Sequence, residues 1–440
     1  MIGAAVIISA SYVLMVLGNT GTPPSDAAPL LVIMLLMAMG AHVANRFFAP
    51  DAHPVILPIA FLLNGLGYVM IARIDLGLAT SYAPLQAAWT AGGVGAYVLT
   101  LFIIRRTRDL DRYRYLLLIA GVVLLLLPLM PKLGATINGA RLWIHVGSFE
   151  FQPVELAKIV LCIFFASYFA DKREVLTIPT ARIGNRLVVD PRPLFPIALA
   201  WVFAIGVMSL EDDIGFSALL FTLFIGLLWV TTGRTGYLLL GVGLFAVGAY
   251  VSTRYFSQTH IRVETWLNPW KILPGDPGRQ LREAWYSLGS GGIGGSGLGL
   301  GAGAYTIPIP QTDFIFAIVG EEMGLLGSTM VVVAFMLLVG AGLRIAQTAR
   351  SEFAKLTAVG LTMIIGFQAF FIIGGVVRLL PLTGITLPFV AYGGSALIAN
   401  YVLIALLMRI SDEGGAAVDA ADQAQWEKSE ERRERLLSGG

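Results

Sequence analysis

The sequence GSGGIGGSGLGLGAGAYTIPIPQTDFIFAIVGEE, residues 289–322, decides how the chain is organised. Its first part, the glycine loop (residues 289–303), is too rich in glycine to form a helix, and its backbone can approach a bulky ligand closely. An apolar helix is expected to begin at Phe314. Thr312 would be its N-cap and Asp313 would lie in its first turn, where the helix dipole favours a carboxylate.

The same predicted helix carries Glu321 and Glu322 about two turns beyond its start, at membrane depth. Carboxylates at such positions are energetically costly, so they indicate a functional site or a contact between helices. We expect at least one of the two to point into the bundle and to hold loops or helices together. Asp313 is either a helix cap or a reactive acid at the mouth of a membrane helix, and the pattern leaves both open.

The composition predicts an all-α polytopic membrane protein. Of the 440 residues, 56% are hydrophobic and 13% are charged, whereas about a quarter of a soluble domain is charged. The net charge of +2 is spread over loops and gives no indication of nucleic-acid binding. Cys162 is the single cysteine, which excludes an intrachain disulfide. The apolar N-terminus lacks a charged n-region and a cleavage site, so we predict a retained helix.

About twelve apolar stretches are long enough to cross a bilayer. The predicted spans are residues 2–19, 28–47, 54–72, 84–104, 114–130, 154–170, 194–210, 214–231, 236–252, 314–343, 354–377 and 386–408. We divide the chain into two extra N-terminal helices (1–53), a core (54–410) with a large outer loop at 253–313, and a polar tail (411–440). With both termini in the cytoplasm, 20 of the 30 Lys and Arg residues lie inside and 10 outside, as the positive-inside rule requires.

A first polar constellation lies in GARLWIHVGSFEFQPVELAKIV, residues 139–160. Pro153 is suited to begin a helix, and Glu155 and Lys158 then share one face and can pair. They form either a structural ion pair or part of a cationic pocket that faces outward. In such a pocket Arg141 and Lys158 would bind an anionic headgroup, because arginine makes bidentate contacts with phosphate.

A second constellation is the acidic run Glu211, Asp212 and Asp213 in a very short turn between two spans. It is either an exposed negative turn or a group that pairs with cations or positions a metal ion. Hard cations take several oxygen ligands, so these acids alone would make a weak metal site.

A third is PLTGITLPFVAYGGSALIANYV, residues 381–402. Pro381, Pro388 and the pair Gly393–Gly394 break the last span at its outer end. Irregular backbone at that depth is tolerated only against protein or beside a cavity, so this segment is expected to lie against one or the other.

Six motifs occur together in one order over roughly residues 54–410, and together they resemble the SEDS family of membrane peptidoglycan polymerases (shape, elongation, division and sporulation). They are GARLWI (139–144), FQPVELAKI (151–159), DIG (213–215), GSGGIGGSGLG (289–299), TDFIFAIVGEE (312–322) and LPLTGITLPFVAYGGS (380–395). The segment LLNGLGYVMIARIDL (62–76) and the two extra N-terminal helices resemble the RodA proteins of actinobacteria, and a division-type (FtsW-like) polymerase is the alternative within the family.

The resemblance implies a core of ten helices, here preceded by two. It implies an inverting glycosyltransferase that polymerises lipid II into glycan strands on the outer face of the cell membrane and releases undecaprenyl diphosphate. Asp313 falls on the essential acid of the family and is the implied catalytic base. The substrate-binding residues that it implies are Arg141, Trp143, Glu155, Lys158 and Asp213.

The chain departs from the family pattern at several positions. Val154 replaces a serine, Ser296 a lysine, Ile309 a glutamate and Ala391 a serine. None of these changes affects Asp313.

The resemblance also implies partners. One is a class B penicillin-binding protein, a transpeptidase, for which the spans between residues 314 and 377 are the predicted docking surface; lipid II and membrane lipids are the others. A divalent cation, Mg²⁺ or Mn²⁺, near the acids is an open cofactor prediction, and no residue is assigned as its ligand. Two other functions stay open: a flippase for a lipid-linked substrate, suited by Glu321, Glu322 and the broken span, and a non-catalytic scaffold, in which Asp313 would be replaceable.

Overall fold

The computed structural model describes most of the chain. It covers residues 1–438 except 25–26, 131–132, 138–139, 147–148, 178–180, 184–185, 189–191, 193–194, 196–197, 200, 203–204, 207–213 and 272–274. Helices dominate the described residues, which confirms the all-α membrane fold. In chain order they are α1 (Ile2–Thr20), α2 (Ala27–Phe48), α3 (Ile56–Leu78), α4 (Tyr82–Ile103), α5 (Thr107–Arg112), α6 (Arg114–Leu126), α7 (Val154–Thr177), α8 (Ile214–Thr232), α9 (Thr235–Tyr255), α10 (Ser257–Leu267), α11 (Arg279–Gly291), α12 (Gly303–Thr306), α13 (Ile315–Thr348), α14 (Glu352–Val376) and α15 (Gly394–Ser438).

Eight of these helices are long and apolar enough to cross a membrane: α1, α3, α4, α8, α9, α13, α14 and α15. Shorter apolar helices occupy residues 32–48 and 114–129. Helix α7 matches the predicted span at 154–170, but charged residues at both of its ends lower its hydropathy. Most of the span predicted at 194–210 lies outside the described residues.

Short strands occur in two loops. Strands β1 (Gly134–Ile137), β2 (Ala140–Val146) and β3 (Phe149–Phe151) form an antiparallel sheet in that order. Strands β4 (Ala181–Ile183) and β5 (Arg186–Val188) form a separate antiparallel pair. The three-stranded sheet leads directly into α7, so it fixes where the chain enters that helix.

The spans differ sharply in how much protein surrounds them. In their most apolar windows 78% of α3, 72% of α14 and 83% of α15 is buried inside the protein, against 6% of α9. Helix α15 packs on α4, α13 on α14, and both α6 and α14 on α7. Helices α3, α7, α14 and α15 are therefore the interior of the bundle, and α9 lies at its edge with its apolar side chains turned outward.

Two predicted spans differ from the structure. The last begins at Gly394 and not at residue 386, because residues 381–393 are irregular. Helix α13 is broken at Gly324, where φ is 66° and ψ is −163°. The break was not predicted, because the apolar pattern continues through it. Helix α15 continues in its backbone to Ser438, through the predicted polar tail.

The glycine loop fills the break in α13. Two N–H groups after the break donate to carbonyls of the loop, and two carbonyls before the break accept N–H groups of the loop. The donor–acceptor pairs are Leu325–Gly292, Leu326–Ile293, Ser296–Glu321 and Gly297–Glu322, at 2.8 to 3.2 Å. Backbone groups freed at membrane depth must be satisfied by protein, and here the loop does so. The close approach expected of the glycines therefore occurs, but towards the protein's own helix.

The prediction that the glycine loop contains no helix is wrong at both of its ends. Residues 289–291 complete α11 and Gly303 begins α12.

Candidate active site

Asp313 lies in an irregular segment immediately before α13. The N-cap of α13 is Phe314, with φ −112°, and no side chain caps the helix, so the predicted capping role of Thr312 is wrong. The backbone there is held by another part of the chain, because the Gln311 carbonyl accepts the Tyr392 N–H at 2.9 Å. Asp313 therefore precedes the helix, and the expectation that it lies in the first turn is wrong.

A cavity of about 200 Å³ opens beside Asp313. Its walls come from α10, from α11 and the residues just before it, and from the irregular segment 381–393. Among its polar or small lining residues are Gln258, Arg262, Trp266, Gln280, Asp313 and Gly384. The site thus combines one carboxylate, one guanidinium, two amides and an indole, a set of groups that can bind a sugar or a phosphate.

The surroundings of Asp313 change its acidity. Burial raises the pKa of Asp313 from 3.8 to about 6, and the positive charge of Arg262 partly opposes this rise. Arg262 is itself positioned by a hydrogen bond from Nη1 to the Thr383 carbonyl at 2.6 Å. A carboxylate with a pKa near 6 is largely ionised at neutral pH and still a competent proton acceptor, which is what a general base requires.

A larger groove of about 310 Å³ lies along the exposed face of α10. Its ionisable residues are engaged with one another: Lys271 pairs with Glu264, and His260 lies 3.7 Å from the same carboxylate. Lys271 and Glu264 already form an ion pair, whereas Asp313 forms no ion pair among the described residues. The cavity at Asp313 is therefore the better candidate for chemistry.

Glu155 and Lys158 form the ion pair that their spacing predicts. Lys158 Nζ lies 2.5 Å from Glu155 Oε2 and donates to Gln368 Oε1 at 2.9 Å. The two residues are 0% and 2% exposed. Lys158 is therefore a neutralised cation inside the bundle in this structure, and its contact with an anionic substrate stays a prediction.

The irregular segment 381–393 contacts residues that belong to both the ion pair and the Asp313 cavity. Gln368 donates from Nε2 to the Thr386 carbonyl at 3.3 Å, and the Thr383 carbonyl accepts from Arg262. Both sets of candidate residues are thus attached to one short stretch of backbone. The broken span lies beside a cavity, as its irregular backbone requires, since Leu382 and Gly384 line the cavity at Asp313.

Of the remaining predicted site residues, the structure describes only some. Trp143 is half-buried in β2, where its backbone pairs with Ala135 of β1. Arg141 belongs to the same strand, but its side chain lies outside the described part of the chain. Asp213 and its two acidic neighbours also lie outside the described residues. The roles of these residues stay predictions.

The structure gives no support for a particular metal site. Within the described residues no group of three or more His, Cys, Asp and Glu side chains converges on one point. The acidic run at 211–213 is not among those residues, so a divalent cation stays a prediction and no step is assigned to it.

Glu321 and Glu322 hold the bundle together, as expected. Glu321 accepts the N–H groups of Ala302 at 2.8 Å and Gly303 at 2.7 Å. Glu322 lies 2.8 Å from Nε of Arg73 on α3. Both carboxylates are buried and committed to contacts within the protein.

Sequence reasoning missed three residues that complete these contacts: Arg73, Arg262 and Gln368. Two had a visible signal, since Arg73 is a cation next to an apolar span and Gln368 is an amide inside one, whereas Arg262 is one of several charges in the large outer loop. Their partners are distant in sequence: Arg73 and Glu322 are 249 positions apart. A single sequence does not reveal such contacts.

Comparison with known proteins places the chain in a family. The sequence profile of the FtsW/RodA/SpoVE family, described as "Cell cycle protein", matches residues 54–415. The peptidoglycan glycosyltransferase RodA of Mycobacterium tuberculosis is 40% identical over 415 residues, which covers 93% of this chain and 88% of that protein. Stage V sporulation protein E of Bacillus subtilis is 32% identical over 82% of this chain and 97% of its own length. The chain belongs to the FtsW/RodA/SpoVE family. The mycobacterial RodA is more similar to it than the FtsW protein of Geobacter metallireducens, which is 31% identical over 81% of the chain.

Solved structures share the fold. A chain from a peptidoglycan synthase complex that coordinates polymerization and crosslinking superposes with a TM-score of 0.65 at 24% identity, covering 82% of this chain and 98% of that one. The rod shape determining protein RodA of Thermus thermophilus superposes with a TM-score of 0.59 at 24% identity, covering 82% of this chain and 96% of its own. Both matches place this chain among polytopic membrane proteins of the RodA fold.

Proposed function

We propose that this protein is a RodA-like peptidoglycan glycosyltransferase that polymerises lipid II into glycan strands. The observation that carries the proposal is Asp313: a carboxylate with a pKa of about 6 beside a cavity that also contains Arg262. The 40% identity to mycobacterial RodA over 93% of the chain supports the choice of reaction.

In the proposed reaction Asp313 accepts the proton of the 4-hydroxyl of the acceptor GlcNAc. The freed oxygen attacks C1 of the donor MurNAc, a new glycosidic C–O bond forms with inversion, and the bond from C1 to the diphosphate breaks. Undecaprenyl diphosphate leaves with the electron pair. The Asp313 oxygen would lie about 3 Å from the acceptor hydroxyl in the productive complex.

Cations near the site would stabilise the departing diphosphate. Arg262 lines the cavity and its guanidinium faces no carboxylate among the described ion pairs, so we assign it this role beside Asp313. Arg141 and Lys158 are further candidates from the family pattern. Lys158 would have to exchange its contact with Glu155 for the substrate, since the pair is buried in this structure.

The orientation that suits this reaction places the site outside the cell and both termini in the cytoplasm. The distribution of Lys and Arg supports it. Labelling of single cysteines introduced at the exposed positions Thr22 and Arg350 tests it, after replacement of Cys162. An impermeant reagent applied to intact cells should label position 22 and not position 350, and the reverse result would overturn the orientation.

A transpeptidase of the penicillin-binding class is the proposed partner, in keeping with the synthase complex that shares the fold. The docking surface remains the one expected from the sequence, residues 314–377. Apolar side chains that α13 turns outward, among them Leu325, Leu326 and Met330, support this choice because they offer a partner helix a surface at membrane depth.

The test is polymerisation of purified lipid II by the full-length protein in liposomes, with and without a class B penicillin-binding protein. Glycan strands from the wild type support the proposal. Transfer of lipid II between leaflets without strand formation would favour a flippase, and neither activity with the partner present would favour a scaffold.

A further inference from the structure

Helix α1 precedes the region that matches the family profile, yet it contacts the glycine loop directly. A Cβ atom at Gly18 would lie 2.2 Å from the carbonyl oxygen of Leu298. A Cβ atom at Gly299 would lie 2.1 Å from the carbonyl oxygen of Met15, and Gly299 has a φ of +83°. The backbone of α1 thus lies against the backbone of the loop with no side chain between them.

The opposite side of the loop is fastened to α13. The N–H of Gly299 donates to Glu322 Oε2 at 2.9 Å, and the next carboxylate, Glu321, accepts the N–H groups of Ala302 and Gly303. Residues 298–303 are therefore enclosed between α1 on one side and two carboxylates of α13 on the other.

Arg73 of α3 connects the same elements. Its Nε pairs with Glu322, and its Nη2 donates to the Gly301 carbonyl at 2.6 Å. Helix α1 is in turn seated on α3, where Gly65 leaves room for Ile8: a Cβ atom at position 65 would lie 2.0 Å from Ile8 Cδ1. The position of α1 is therefore set by the helix that also holds the loop.

The hydrogen bond between Gly303 and Glu321 closes a loop of chain that contains Asp313. The chain leaves the Glu321 contact at Gly303, passes through Asp313 and returns along α13 to Glu321 itself. A displacement of residues 298–303 would be transmitted into the segment that carries the carboxylate, because both ends of that segment are fixed to the same contact.

We infer that α1 is a positioning element for the reaction at Asp313, and that Met15 and Gly18 act through the glycine loop. The inference rests on the proposed function and adds a role to a segment outside the family match.

The variant that tests the inference is Gly18→Ala in the full-length protein, with Gly3→Ala as the matched control. Both lie in α1, where alanine is the better helix former, and a Cβ atom at Gly3 has no neighbour within 4 Å. In the lipid II assay we expect kcat of Gly18→Ala to fall at least about tenfold with KM unchanged, because a small misplacement of a reacting group is costly. Gly3→Ala should match the wild type.

A second readout is independent of activity. Hydrogen exchange of the amides of Gly299, Ala302 and Gly303 reports their bonds to Glu321 and Glu322, and it should accelerate at least about tenfold in Gly18→Ala. Acceleration in Gly18→Ala alone, together with the fall in kcat, supports the inference. If the wild type forms no strands, the proposed function fails, and acceleration in Gly18→Ala then shows only that α1 holds the glycine loop in place. Unchanged exchange, or unchanged kcat in an active protein, overturns the inference. If Gly18→Ala does not accumulate, Ile8→Ala carries the test, because it loosens α1 from α3 without changing the glycine loop.

Discussion

Asp313 lies within ten residues of Glu321 and Glu322, but its carboxylate has the opposite kind of surroundings. Glu321 and Glu322 are buried, and their oxygens accept backbone N–H groups of the glycine loop or pair with Arg73. Asp313 accepts no hydrogen bond from the described residues, faces a cavity and has a raised pKa. A carboxylate with its oxygens occupied maintains structure, whereas one kept unoccupied at a costly position is available for chemistry.

The comparison predicts its largest effect at Asp313. Replacement by Asn keeps the shape of the side chain and removes the proton acceptor, so polymerisation should fall by about a hundredfold to ten-thousandfold. Glu321→Gln in the same assay should lose far less activity, because Glu321 acts only by positioning the glycine loop and a glutamine keeps one of its two acceptor oxygens. Strand synthesis by Asp313→Asn at a rate near that of wild type would remove Asp313 from the role of base.

The next largest effect is expected on stability at Glu322. Glu322→Gln leaves the guanidinium of Arg73 buried without a compensating charge, which should cost about 3–5 kcal/mol. The double variant Glu322→Gln/Arg73→Met removes both charges and should recover much of that loss. Thermal unfolding in detergent measures both; a double variant as unstable as the sum of its two single variants would show that the ion pair is not the source of the loss.

Asp313 is expected to lower the stability of the folded protein at neutral pH. Its pKa is about 6 in the folded protein against an ordinary value of 3.8. The free energy of unfolding is therefore highest below about pH 4 and decreases as the pH rises through about 6, because folding disfavours the ionised form of Asp313. Asp313→Asn should therefore exceed the wild type in free energy of unfolding by about 3 kcal/mol at pH 7.5 and by little at pH 4.

Thermal unfolding of wild type and Asp313→Asn at several pH values measures this difference. A gap in melting temperature that does not depend on pH would contradict the raised pKa. The expected direction is unusual, because most substitutions destabilise a protein. It follows from the cost of holding a carboxylate ready for reaction.

A smaller effect is expected at Gln368, which joins Lys158 to the Thr386 carbonyl. Gln368→Leu should lower the free energy of unfolding by about 1–2 kcal/mol, because it leaves a buried donor and acceptor unpaired. Gln86→Leu is the matched control: Gln86 is equally buried, but neither polar atom of its side chain has a partner among the described residues. Equal losses in the two variants would show that the Gln368 contacts add no stability.

A contact could be predicted from the sequence when the two interacting residues are close together along the chain. The pairing of Glu155 with Lys158 followed from their spacing of three residues on one helix. The membrane fold followed from hydropathy, and the inward orientation of Glu321 and Glu322 from the cost of exposing charge to lipid. These three predictions rest on local properties of the chain or on the properties of the surrounding membrane.

Contacts between distant segments could not be predicted in this way. The break at Gly324 exists because the glycine loop supplies the hydrogen bonds that the helix loses, and the sequence around Gly324 alone does not reveal that partner. Arg262 was counted only as an outer charge, although it determines the electrostatics of Asp313 together with burial. Both are tertiary effects that override local pattern.

The measurement that tests the account most directly is the pH dependence of kcat/KM for lipid II polymerisation by the wild type and by Arg262→Met. The account predicts activity that rises with pH through an apparent pKa of about 6, as Asp313 loses its proton. Because the charge of Arg262 lowers that pKa, Arg262→Met should move the rise to higher pH. A rate independent of pH between about 5 and 8, or a rise that Arg262→Met leaves unmoved, would contradict the assignment of Asp313 as the base.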